Sequence, residues 1–213
     1  MQITETQPPS RREARRQSRQ EAIVEVAGPW FLEHGYAGTT MSAIAAELGG
    51  SKGTLWNHFP SKEALFGAVL ERVTAEFRAQ ILVALNRSDD LEQVMRKFCR
   101  QFLVKVTSPE AIALHRLIAA EVGRFPEIGR IFYDRGPLVT QQLLADFLSD
   151  AMERGLLRKD DPLGAARNLI GMCLYGTHQQ VLLGVIDCAS PEAIAKDAQR
   201  AADVFMRSYA PQS

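Results

Sequence analysis

Lys52, Gly53, Thr54, Trp56, Asn57 and His58 fall within seven consecutive positions of the stretch SKGTLWNHFPSKEALF, residues 51–66. An ammonium, a hydroxyl, an indole N–H, a carboxamide and an imidazole on so short an element form a set of groups that donate to phosphate oxygens and read base edges. Leu55 and Phe59, four residues apart, share one helical face and serve as its inward anchors. The polar residues are thereby left on or near the outward surfaces, and Gly53 lets the backbone come close to a duplex. Ser61 caps the next helix, so Lys62 and the free N–H groups there suit a phosphate. Thr40 and the N–H groups it caps suit another.

Other chemistry is poorly represented. His34, His58, His115 and His178 are spread without metal-ligand spacing, and the chain has no HExxH, no GxSxG and no Gly-rich phosphate loop. No catalytic residue, metal or cofactor is therefore expected, and the chain is not read as an enzyme. Cys99, Cys173 and Cys188 are odd in number and never paired as CxxC, which suits a reducing compartment. All three lie in apolar surroundings that disfavour a thiolate, which argues against a redox sensor. The N-terminus lacks the apolar core of a signal peptide, and the most apolar stretch, 169–186, is interrupted by Thr177, His178, Gln179 and Gln180. A cytoplasmic protein with no membrane partner is expected.

The elements that must position these groups are helical throughout. Hydrophobic residues make up 46% of the 213-residue chain and charged residues 23%, enough apolar material for a core. Formal charge is zero, yet residues 10–20 hold five arginines (Arg11, Arg12, Arg15, Arg16, Arg19) against Glu13 alone. Ala22, Ile23, Val26, Ala27, Trp30 and Phe31 recur at helical spacing, with Gly35 as a stop and Pro29 predicting a kink or loosened turn. Met41, Ile44, Ala45 and Leu48 mark a second helix after Thr40, and Leu65, Phe66, Val69, Val73, Phe77 and Ile81 a long one after Ser61. Ser108-Pro109, Asp161-Pro162 and Ser190-Pro191 each pair a cap with a proline at the first helical position. No stretch alternates with period two. The expected class is all-α, with about nine helices joined mostly by short loops.

Two short helices joined by a tight Gly-containing turn and braced by a third define a helix-turn-helix. The residues FLEHGYAGTTMSAIAAELGGSKGTLWNHFPSKEALF resemble the DNA-binding module of the TetR family of transcriptional regulators. The resemblance rests on Phe31, Gly35-Tyr36, Thr39-Thr40, Ile44-Ala45, Gly49, the run 51–55, Phe59 and Ser61-Lys62-Glu63-Ala64-Leu65. It implies a basic arm over 1–15, a DNA-binding domain over 16–76 with the helix-turn-helix at 39–58, and a larger ligand-binding and dimerisation domain over 77–213. Lys52, Gly53 and Thr54 would approach bases, with Ser51 and Asn57 also among the DNA-binding residues. Trp56, His58 and Lys62 would contact the DNA backbone, and Thr40 would hold a phosphate. Trp56 stands where the family usually has Tyr, Gly50 where it usually has Val, and Pro29 inside the first helix.

The same resemblance implies a homodimeric repressor that releases a palindromic double-stranded DNA operator on binding a small-molecule effector. Independently, the expected helix 161–186 has apolar residues on more than one face. Gly171, Gly176 and Gly184 read there as points of close helix approach. The stripe Ile194, Ala198, Ala201, Ala202, Phe205 and Tyr209 on the last helix reads likewise, so a dimer through the last two helices is expected. Candidates for an apolar ligand pocket are Phe98, Phe102, His115, Glu121, Phe125, Phe147, Met172, Tyr175 and His178. A helical small-molecule-binding protein with an altered or accessory DNA module is the alternative.

Overall fold

The computed structural model describes residues 10–49 and 52–211. Among these it contains eleven α-helices and no strand. They divide into two compact units that part between Arg72 and Val73.

The first unit holds α1 (Arg11–Gly38), α2 (Met41–Glu47), α3 (Lys52–His58) and the first turns of α4 (Lys62–Ala84). The expected arm over 1–15 is corrected here, because α1 is helical from Arg11 onward. Its start is fixed by a capping box. The Ser10 hydroxyl accepts from the Glu13 N–H at 3.3 Å, and the Glu13 carboxylate accepts from the Ser10 N–H at 2.8 Å. Residues 1–9 lie outside the described residues. Pro29 sits within helical backbone angles, and the break expected near it falls instead at Gly35, with φ 72° and ψ 173°. The core is aromatic. Phe66 meets Phe31 edge-on at 4.9 Å and Tyr36 at 5.4 Å, with Ile23, Ile44, Leu55 and Leu65 buried around them.

The second unit comprises the rest of α4 with α5 (Leu91–Val106), α6 (Pro109–Glu121), α7 (Pro126–Arg135), α8 (Pro137–Glu153), α9 (Pro162–Leu174), α10 (Thr177–Leu182) and α11 (Pro191–Ser208). The proline starts form as expected. Ser108, Asp161 and Ser190 each accept a backbone N–H from the first turn of α6, α9 and α11. The single helix expected over 161–186 is instead two. Gly176, at φ 136° and ψ −127°, separates α9 from α10, and the Asp197 carboxylate accepts the Thr177 N–H at 2.8 Å in place of an intrahelical carbonyl.

Two further expectations are corrected. Gly176 and Gly184 (φ 73°) serve backbone angles rather than helix contact, whereas Gly171 is exposed, with no described residue within 4 Å of a Cβ built there. The α11 stripe from Ile194 to Tyr209 is buried within the same chain, where α11 packs on α5 and α9, so that face is not available to a partner copy. No described helix is long and apolar enough to cross a membrane.

Candidate functional site

Side chains of α2 and α3 divide as the spacing predicts. Leu55 and Phe59 are buried, Trp56 is 42% exposed, Gly53 and Asn57 are exposed, and Thr54 and His58 are half-buried. Ser51 and Gly50 lie outside the described residues, as does the side chain of Lys52. Thr40 caps α2, its Oγ1 accepting from the Ala43 N–H at 3.1 Å. Beside it Thr39 is fully buried and donates to the carbonyls of Trp30 and Gly35, tying the end of α1 to the start of the helix pair.

Lys62 is engaged within its own unit. Its Nζ donates to the carbonyl oxygens of Tyr36 at 2.7 Å and Thr39 at 3.1 Å, and lies 4.1 Å from the centre of the Tyr36 ring. The Tyr36 hydroxyl in turn donates to Glu63 at 2.9 Å. Glu63 is held below the usual carboxylate range by its own backbone N–H, then by Ser61 and Tyr36. This cluster clamps the first turn of α4 to the segment that leads into α2.

Electrostatics join α1 to α3. The His58 imidazole is pushed below its ordinary pKa first by burial, then by the positive charges of Arg16 and Arg19. Its Nδ1 is buried without a partner among the described residues. At 100° per residue the five arginines of α1 fall within an arc of about 140°, so they form one face, and two of them act on α3. Reading 1–15 as an arm hid this, although Ser10-x-x-Glu13 was a visible cap signal.

The second unit holds a partly open cavity of about 170 Å³. Val73, Thr74, Phe77 and Arg78 of α4 form one side, Phe102, Lys105 and Val106 of α5 a second, and Leu114 and His115 of α6 a third. Phe132, Thr140, Gln141, Ile170 and Leu174 complete the lining with other residues of α6 to α9. Of the nine sequence candidates, Phe102 and His115 are brought together at its wall. His178 is buried behind His115, with ring centres 5.6 Å apart. Phe98 and Phe147 are buried in the core, and Met172 packs against it. Glu121 ends α6, Phe125 caps the start of α7, and Tyr175 is 81% exposed. Phe77 and Val73 had been visible only as part of a helical stripe, which does not tell a cavity wall from a core contact.

Helix-turn-helix geometry on an all-helical scaffold defines a class of DNA-binding regulator. Comparison with known proteins places the chain within it. Residues 23–69 match the model of bacterial regulatory proteins of the tetR family, and residues 93–211 match that of the AefR-like transcriptional repressor C-terminal domain. The flavonoid-responsive regulator FrrA is 32% identical, with a TM-score of 0.79 over 92% of this chain and 100% of its own. A TetR-family protein from Mesorhizobium loti MAFF303099 is 27% identical, with a TM-score of 0.80 over 92% and 98%. The HTH-type transcriptional regulator UidR of Escherichia coli K12 is 28% identical over 161 residues, 72% of this chain and 76% of its own.

The chain belongs to the TetR family of transcriptional regulators. It is a helix-turn-helix DNA-binding regulator, in a family of regulators rather than of enzymes.

Proposed function

We propose that this chain is a homodimeric repressor that releases a palindromic operator when a small molecule fills the cavity of its second unit. One observation carries this reading. The single helix α4 contributes the Lys62–Glu63 clamp and the buried Leu65 and Phe66 to the DNA-reading unit, and Val73, Thr74, Phe77 and Arg78 to the cavity wall. A ligand that displaces those cavity residues moves the helix that fixes α2 and α3. The expected coupling is about 1–3 kcal/mol, a 5- to 150-fold change in operator affinity. The likeness to FrrA, described as flavonoid-responsive, and to the AefR-like repressor domain supports ligand response and repression.

In this reading Lys52, Gly53 and Thr54 approach base edges. Trp56, Asn57 and His58 contact the backbone alongside, and Thr40 with the start of α2 holds a phosphate. Ser51 stands beside them. Lys62 positions the reading helices from behind. The partner copy docks on the outward apolar residues around α10, where Tyr175, Leu183 and Val185 are 81%, 70% and 69% exposed. The α11 stripe stays inside the protomer.

The test is selection of bound sequences from a random duplex pool at two salt concentrations, followed by sedimentation of the protein alone and on its recovered site. A palindrome bound by two protomers, with half-sites one or more helical turns apart, is expected. Salt-sensitive binding with no sequence enrichment would mean a generic basic surface, and a monomer on a single half-site would remove the dimer.

A further inference from the structure

The cavity of the second unit is small enough to restrict what enters it. An apolar cavity of about 150 Å³ holds one benzene ring, and this one measures about 170 Å³. Its buried part holds a single substituted ring, and a larger molecule would have to extend out through the open side. Phe77, Phe102 and Phe132 give it an aromatic lining, and Ile170 and Leu174 cover another side. Such walls favour a planar apolar body, met by ring edges and faces.

The polar groups restrict the ligand further. Both charged residues of the lining, Arg78 and Lys105, are cations, and no carboxylate lines the cavity among the described residues. His115 brings an imidazole whose Nδ1 is buried without a partner, while its ring meets Phe132 and His178 edge-on at 5.2 and 5.6 Å. A buried polar atom left unpaired in this way costs stability unless something completes it. An acidic oxygen on the ligand completes it once the ring turns to present Nδ1 to the cavity, and the cationic lining favours an acid over a base.

We propose that the cavity takes a single-ring aromatic acid, its ring among Phe77, Phe102 and Phe132 and its carboxylic or phenolic oxygen on His115, near Lys105. The proposal rests on the reading of this cavity as the effector site and adds the chemical class.

Calorimetric titration of the full chain with benzoate, phenol, 4-hydroxybenzoate and benzylamine tests it without any DNA. The aromatic acids bind and benzylamine, a cation of similar size, does not. His115→Gln weakens 4-hydroxybenzoate about tenfold or more, the loss expected for a buried hydrogen bond to a charged or strongly polar partner. Lys105→Met, on a half-buried side chain that does not endanger the fold, weakens benzoate but not phenol. Discrimination between those two probes also shows whether the acid is held as an anion or as a neutral hydroxyl.

Failure of all three acids to bind at millimolar concentration overturns the class. So does equal binding of benzylamine, or wild-type affinity in both variants. Operator binding is then measured separately with the same probes. If the acids bind and the operator is retained, the ligand class stands and the release mechanism falls. If a three-ring flavone releases the operator while no single-ring acid binds, the mechanism stands and the class is wrong.

Discussion

The Lys62 ammonium lies 4.1 Å from the centre of the Tyr36 ring and donates to the carbonyl oxygen of that same residue at 2.7 Å. One side chain thus satisfies a carbonyl at the close of α1 and covers an aromatic face of the core. Lys62→Met is expected to lower the stability of the DNA-reading unit by about 2 kcal/mol, from a charged hydrogen bond and a cation–π contact. Both tryptophans, Trp30 and Trp56, belong to that unit, so urea unfolding followed by tryptophan fluorescence reads it directly. Unchanged stability with a large loss of operator affinity would make Lys62 a phosphate contact instead.

Thr40 allows a cleaner separation of folding from binding. Thr40→Ala removes the cap of α2 and costs about 1 kcal/mol of stability. Thr40→Asp keeps an accepting oxygen and adds a negative charge that favours the helix N-terminus. That charge repels a phosphate, so the Asp variant is expected to be as stable as the parent yet to bind the operator at least tenfold more weakly. Equal operator affinity in the Asp variant and the parent would show that no phosphate sits at Thr40.

Local chemistry was legible in the sequence and distant pairing was not. Ser108, Asp161 and Ser190 each announced a helix start because a cap and a following proline act within one turn. Leu55 and Phe59 were placed inward by spacing alone. The break at Gly176 was missed because the group that replaces the helical hydrogen bond is Asp197, twenty residues on. The burial of the α11 stripe depends on α5, from the other end of the same unit, and an apolar stripe carries no mark of whether its neighbour is its own chain or a copy. The cavity is a property of four helices or more together, so only Phe102 and His115 of nine candidates stand at its wall. His178 was identified as a polar residue of interest, but its place behind His115 required the turn at Gly176.

That turn supplies its own prediction. A Cβ at Gly176 would stand 2.8 Å from the Asp197 carboxylate oxygen that caps α10, at a φ that side chains rarely adopt. Gly176→Ala is therefore expected to destabilise the second unit by about 2 kcal/mol, combining backbone strain with displacement of the cap. Adding Asp197→Ala to it should relieve the clash but restore neither the cap nor the unstrained turn. Calorimetric melting of both variants and of the double variant checks this, and a Gly176→Ala protein as stable as the parent would exclude the strained turn.

Burial lowers the pKa of His115 and of His178, with the neighbouring His178 adding to the effect on His115 and a backbone hydrogen bond to Leu174 opposing it on His178. Each is a base whose folded-state value lies below its unfolded value of 6.5. As pH falls through 6.5 the unfolded chain takes up protons that the folded chain refuses, and stability falls until the folded-state values are passed. Melting temperature is thus expected to be flat from pH 8 to about 7 and to decline from about pH 6.5 to 5, before carboxylates titrate. His58, lowered by burial and by Arg16 and Arg19, contributes to the same window from the other unit. The His115→Gln/His178→Gln double variant should therefore keep part of the slope, and His58→Gln added to it should flatten the rest. A double variant with the full slope of the parent would show that these two buried imidazoles are not what makes the second unit acid-sensitive.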